Sequence, residues 1–183
     1  MSSATVSQVM IELERRECVS PREQGRHKGR GLREPGRLLD QWAEYVTSLK
    51  PPAVRRYFLP ALRADQLLEA VGRAFADNVS YAVSLAPAAQ AHAPFLCRIS
   101  QVKCRAMDGA ALESGVAALH ARLLEAGANF SVLEATSPGD LLYREQFEGT
   151  WLASPIQVYL DLLRSAGQAR GLAQHLRRER IRF

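Results

Sequence analysis

The chain has 183 residues, 47% hydrophobic and 23% charged, with a formal net charge of +5. That apolar content excludes disorder along the whole length and suffices for one ordinary core, or one core with a small attached module. Three cysteines exclude a disulfide scaffold and favour a reducing compartment, and no apolar run approaches the roughly 18 residues of a membrane span.

Residues 4–16 read as a short amphipathic helix, with Val6, Val9, Met10 and Leu13 at helical spacing and Ser2, Ser3 or Thr5 available as cap. Cys18, Val19 and Ser20 read as extended, and residues 21–31 as a turn-like loop in which Gly25, Gly29 and Gly31 alternate with basic side chains. A helix is expected over about 36–49, stopped by Lys50-Pro51-Pro52. The boundary between an N-terminal module (1–50) and the main body (61–183) is placed near 51–60.

The body alternates helix and strand. Asp65 is the expected cap of a helix over 66–76, followed by a strand at 79–85 and a short Ala-rich helix at 86–93. Residues 95–107 alternate as a strand or two, with Gln101, Lys103 and Arg105 interleaved with Val102 and Cys104. A helix over 110–126 should end at Gly127, and a strand is expected at 130–135. Residues 141–147 and 149–152 suggest a hairpin. Ser154-Pro155 reads as an N-cap with Pro in the first turn, opening a helix with Ile156, Tyr159, Leu160 and Leu163 on its apolar face. Asp161 should face solvent or an arginine. Gly167 breaks that helix, and another follows at about 169–180. The mixed order predicts an α+β fold.

Charge is uneven. Residues 15–37 hold eight basic side chains against three acidic, and 164–183 hold six arginines against Glu179, around an acidic middle. A polyanion is the natural partner of such basic ends, and solvated arginine-rich surface is the plainer alternative. Chemistry-bearing motifs are sparse. His27, His92, His120 and His175 lie far apart, without metal-ligand spacing. No nucleotide-binding glycine motif and no nucleophile elbow occurs. An enzyme is therefore disfavoured, and no cofactor or metal is expected.

The N-terminal string of helix, short extended stretch and Gly/Arg loop has the order of a recognition helix followed by a wing. Ser3, Thr5, Ser7 and Gln8 would approach base edges and phosphates from the helix start. Arg15, Arg16, Arg22, Arg26, His27, Lys28 and Arg30 would contact DNA, the wing's basic side chains at phosphates or in the minor groove. The helices that normally precede a recognition helix are not in the chain as read, so the module is expected to be partial. A basic tail carrying one helix is the alternative.

Two segments carry a resemblance to a known family. GRLLDQWAEYV resembles the linker helix of the AbiEi-type antitoxins of bacterial type IV toxin–antitoxin systems. SPIQVYLDLLRSAGQARGLAQHLRR resembles the end of that family's C-terminal domain, with Ser154-Pro155, Gln157, Tyr159, Asp161 and Leu162-Leu163 in matching order and spacing. The turn at 165–171 and the basic last helix depart from the family pattern. The resemblance implies a cytoplasmic, DNA-binding transcriptional regulator that represses its own operon and neutralises a nucleotidyltransferase-like toxin. Operator DNA, a cognate toxin and a second copy of the chain are the implied partners, with no membrane. The competing expectation is a protein-interaction domain that has lost DNA binding through truncation of its start.

Overall fold

Ser2 opens the first helix, α1 (Ser3–Arg15), by accepting a hydrogen bond from the Thr5 N–H at 3.2 Å. The helix ends where Cys18 N–H donates back to the Leu13 carbonyl at 2.9 Å, with Glu17 in the left-handed region at φ 58°. That reversal leads straight into β1 (Val19–Gln24), which pairs antiparallel with β2 (His27–Leu32), from Val19 opposite Leu32 to Gln24 opposite His27. The stretch expected as a loop at 21–31 is strand over 21–24 and 27–31: Gly29 and Gly31 are strand residues, because pairing with Arg22 and Ser20 satisfies their backbone, and Gly25 lies outside the described residues. Helix α2 (Pro35–Ser48) follows, with Pro35 in its first turn and Leu39 and Ala43 buried.

The computed structural model describes residues 2–24, 27–60, 63–76, 78–95, 99, 101–124, 126–165, 167 and 169–183; positions 21–24, 27, 28, 64 and 65 are described by backbone. Two compact units divide the chain: residues 1–49 with Phe183, and residues 50–182. Both are built from helices and strands, a mixed α and β architecture. Among the described residues no helix is long and apolar enough to cross a membrane.

The second unit is organised around a seven-stranded mixed sheet. Its strands are β3 (Val54–Phe58), β4 (Tyr81–Ser84), β5 (Val102–Ala106), β6 (Arg122–Leu123), β7 (Phe130–Glu134), β8 (Glu145–Phe147) and β9 (Thr150–Leu152), ordered β6-β3-β7-β5-β4-β9-β8. Pairs β5/β7 and β4/β9 are parallel and the others antiparallel. The helices are α3 (Ala64–Phe75), α4 (Leu85–His92), α5 (Ala110–Ala118), α6 (Pro155–Leu163) and α7 (Ala169–Leu176), the last running into a π-helical turn at Arg177–Ile181.

Alternation along the strands separates the two sheet faces. Tyr57, Tyr81, Val83, Val102, Cys104, Phe130, Val132 and Leu152 form one face and are buried. They meet α3, whose Phe75 ring stands edge-on to Tyr81 at 5.1 Å and to Phe130 at 6.1 Å. Gly115 of α5 permits that helix to approach, since a Cβ there would lie 2.7 Å from the Phe75 ring. On the opposite face α4, α6 and α7 pack on one another, and α4 and α6 reach β4 and β5. The β8–β9 hairpin turns through Glu148 and Gly149, both at positive φ, the geometry of a two-residue primed turn.

Several expectations are corrected. β3 falls inside the stretch read as a boundary and belongs to the sheet. α3 begins at Ala64 with Arg63 as N-cap, its N–H donating to Gln66 Oε1 at 3.1 Å, so Asp65 lies in the first turn. The helix expected over 110–126 stops at Ala118. His120 turns at φ 50°, and Arg122 and Leu123 pair with Phe58 and Tyr57 as an edge strand. Sheet-edge hydrogen bonding overrides helical periodicity there. In α6 the buried side chains are Val158, Tyr159, Leu160, Asp161 and Leu162, whereas Ile156 and Leu163 are half-buried.

Candidate functional site

Two places hold clustered polar chemistry, one in each unit. In the first unit the predicted recognition residues divide between faces of α1. Ser3, Thr5 and Ser7 are exposed, and the Thr5 hydroxyl is hydrogen-bonded to Ser2 Oγ at 2.9 Å. Gln8 instead joins Val9, Glu12, Leu13 and Arg16 along an open groove of about 450 Å³ completed by Leu38, Gln41 and Trp42 of α2.

The predicted phosphate contacts carry partners that the sequence did not disclose. Arg15 and Arg16 both donate to Glu12, at 2.8 and 2.6 Å, and Arg30 donates to Glu14 at 2.5 Å. The hydrogen bonds from Arg15, then Arg16, lower the Glu12 carboxyl from its ordinary value to about 2. These three arginines are therefore partly neutralised within the chain. Arg22 lies on β1, and His27 and Lys28 on β2. Arg26 lies outside the described residues.

In the second cluster Asp161, expected to face solvent or an arginine, meets an arginine that the sequence did not identify. Arg105 on β5 and Asp161 on α6 form a buried ion pair, 6% and 4% exposed. Arg105 Nε donates to Asp161 Oδ2 at 2.9 Å, and its terminal nitrogen donates to Oδ1. Ser84 Oγ of β4 donates to the same carboxylate at 2.5 Å and Gln157 Nε2 at 3.0 Å, so its acceptor sites are well filled. Asp140 lies 3.7 Å from Arg105. Burial opposes the guanidinium charge, but hydrogen bonds to Asp161 and its negative charge outweigh that and raise the Arg105 pKa above its ordinary value. Desolvating such a pair is costly, and these satisfied hydrogen bonds are what make it tenable.

The pair forms one wall of a cavity of about 600 Å³ over β3, β7 and β5. Strand register explains the lining. Arg56, Ser131 and Lys103 are directly paired across the three strands, and Val54, Leu133 and Arg105 form the next row on the same face. Pro51, Pro52, Leu85, Gly127, Ala128 and Arg164 also border the cavity. Leu85 has φ 60°, an uncommon conformation for a bulky residue. Among the described lining residues Asp161 is the sole carboxylate. The alternation Gln101, Lys103, Arg105 was legible in the sequence, but averaging charge over the acidic middle concealed its basic character.

Cys104 is buried on the apolar face of β5, and burial pushes its thiol up. Among the described residues no three His, Cys, Asp or Glu side chains come together as a metal site. The chain matches no protein-family model, no curated protein and no solved structure.

Proposed function

We propose that the chain is a DNA-binding transcriptional regulator of the AbiEi antitoxin type that its sequence resembles, engaging DNA through the first unit. The observation that carries this reading is α1 followed directly by an antiparallel hairpin whose strands bear Arg22, Lys28 and Arg30. A helix with short polar side chains near its start can meet base edges, and a basic ribbon beside it can meet phosphates. Autorepression and a nucleotidyltransferase-like toxin partner belong to the same proposal on the resemblance alone.

Fluorescence anisotropy with duplex DNA across a salt series tests it. Each phosphate contact contributes about 0.9 to the log–log salt slope. Replacing Arg22 and Lys28 by Ala should flatten the slope by about 2 units and weaken binding to every sequence. Glu14→Gln should have the opposite effect, freeing Arg30 and steepening the slope by up to about 0.9. Ser7→Ala should instead blur sequence preference, since a base-edge contact carries about 1–3 kcal/mol of discrimination. No affinity at low salt, or affinity indifferent to the hairpin variants, rejects the proposal.

One observation favours a second reading, a protein-interaction module. Val6, Val9, Ile11, Trp42 and Tyr45 are exposed on the first unit. Under that reading, changing Val9 and Trp42 to Ser abolishes partner binding, and DNA affinity is absent from the start.

A further inference from the structure

We propose that the cavity over β3, β7 and β5 is a binding site for a small phosphorylated ligand of nucleotide size. This inference concerns the second unit and does not depend on DNA binding by the first.

The size and shape suit such a ligand. Pockets for small molecules commonly enclose about 300–1,000 Å³, and this one encloses about 600 Å³. Its floor has a polar row and an apolar row. Arg56 and Lys103 flank Ser131 on the two neighbouring strands, which places their Cα atoms about 10 Å apart at ordinary strand spacing. Two long cationic side chains at that separation can close on one phosphoryl group from either side, and the Ser131 hydroxyl lies between them as a donor. Among the described residues neither Arg56 nor Lys103 has an ion-pair partner, and Arg56 is exposed. Exposed arginine is common, but two cations without a described ion-pair partner on β3 and β5, either side of β7, create a local positive potential on one face.

The rest of the lining supplies the other half of an amphiphilic ligand. Val54 and Leu133 form the apolar part of the second row, with Pro52 and Leu85 at the border. A sugar or base attached to the phosphoryl group would lie along them. Arg105 ends that row and is held by Asp161, whose carboxylate Ser84 and Gln157 fix in turn, so the wall is ordered before any ligand arrives. Asp161 does not repel an anion strongly, because its charge is spent on Arg105.

The test is titration of the full chain with pyrophosphate, adenosine 5′-monophosphate and adenosine, followed by calorimetry and by the shift in melting temperature. Ligand that binds only the native state raises that temperature with concentration. Pyrophosphate and the monophosphate should bind, and adenosine should bind at least about tenfold more weakly. Arg56→Gln with Lys103→Gln should lower phosphate affinity about tenfold or more while leaving the unliganded melting temperature unchanged. Arg73→Gln, an exposed change outside the cavity, should behave as the parent does. The proposal is overturned if none of the probes binds at millimolar concentration, or if the double variant and Arg73→Gln lose affinity equally. It is also overturned if a short single-stranded DNA binds through Arg56 and Lys103 while the monophosphate does not, since the cavity would then be a nucleic-acid contact.

Discussion

Asp161 and Leu160 are neighbours on α6, both nearly inaccessible, and they stabilise the second unit in different ways. Leu160→Ala removes buried methyl groups and leaves a cavity, at a cost of about 2–5 kcal/mol. Asp161→Asn leaves the buried Arg105 guanidinium with only Asp140, 3.7 Å away, as counter-charge, at a cost of up to about 3–5 kcal/mol. Replacing the pair together, Arg105→Met with Asp161→Leu, should recover most of that second loss, because an apolar pair leaves no orphaned charge. Urea denaturation of the three variants checks these values. An unchanged midpoint for Asp161→Asn would show that the pair does not hold α6 to β5. From the sequence, Asp161 could face solvent or an arginine. Its arginine is 56 positions away on another element, beyond the reach of local pattern.

At the scale of elements, α1 is the least secured. None of its residues is buried, so its stability rests on the Ser2 cap and on surface ion pairs. Glu12 ties Arg15 and Arg16 to the helix, and its carboxyl titrates near 2 instead of its ordinary 4.5. A depressed carboxyl pKa stabilises the folded form fully above the unfolded value and progressively less as pH falls through the folded one. The helical signals of α1 should therefore decline between about pH 4.5 and 2, and Glu12→Gln should remove that step while lowering helicity at neutral pH. Backbone chemical shifts across the acid range measure both outcomes. Elements were legible where a local signal was strong: the cap offered by Ser2 and the Ser154-Pro155 entry to α6. They were missed where a distant strand intervened, as at 122–123, where Leu123 continues the helical spacing of α5 but the backbone pairs with β3.

Over the whole molecule, burial is unequal. Among the described residues the first unit buries the apolar side chains of Cys18, Val19, Leu39 and Ala43, whereas the second buries both Tyr81 and Phe130 together with a leucine- and valine-rich set on both sheet faces. Local opening free energy follows such burial. Amides of α1, β1 and β2 should exchange with solvent well before those of β4, β5 and β7, measured by hydrogen exchange on the intact chain. Equal protection across the two units would contradict this ordering.

The amino-acid sequence by itself determined the α+β character, the positions of α1, α2, β7 and α6, and the basic stretch from 15 to 37. Each depends on short-range physics: helical or two-residue periodicity, side-chain caps, prolines in a first turn, and the count of charges. Only the tertiary structure decided which charges remain available. It matched Arg30 with Glu14 and Arg105 with Asp161, whereas Glu12 meets Arg15 and Arg16 at local helical spacing. It also gathered Arg56, Ser131 and Lys103 into one row, because strand order β3-β7-β5 and its register bring together residues from three separated segments. Electrostatic interaction falls with distance in space and ignores distance along the chain, so a sequence window averages away a cluster that the sheet assembles.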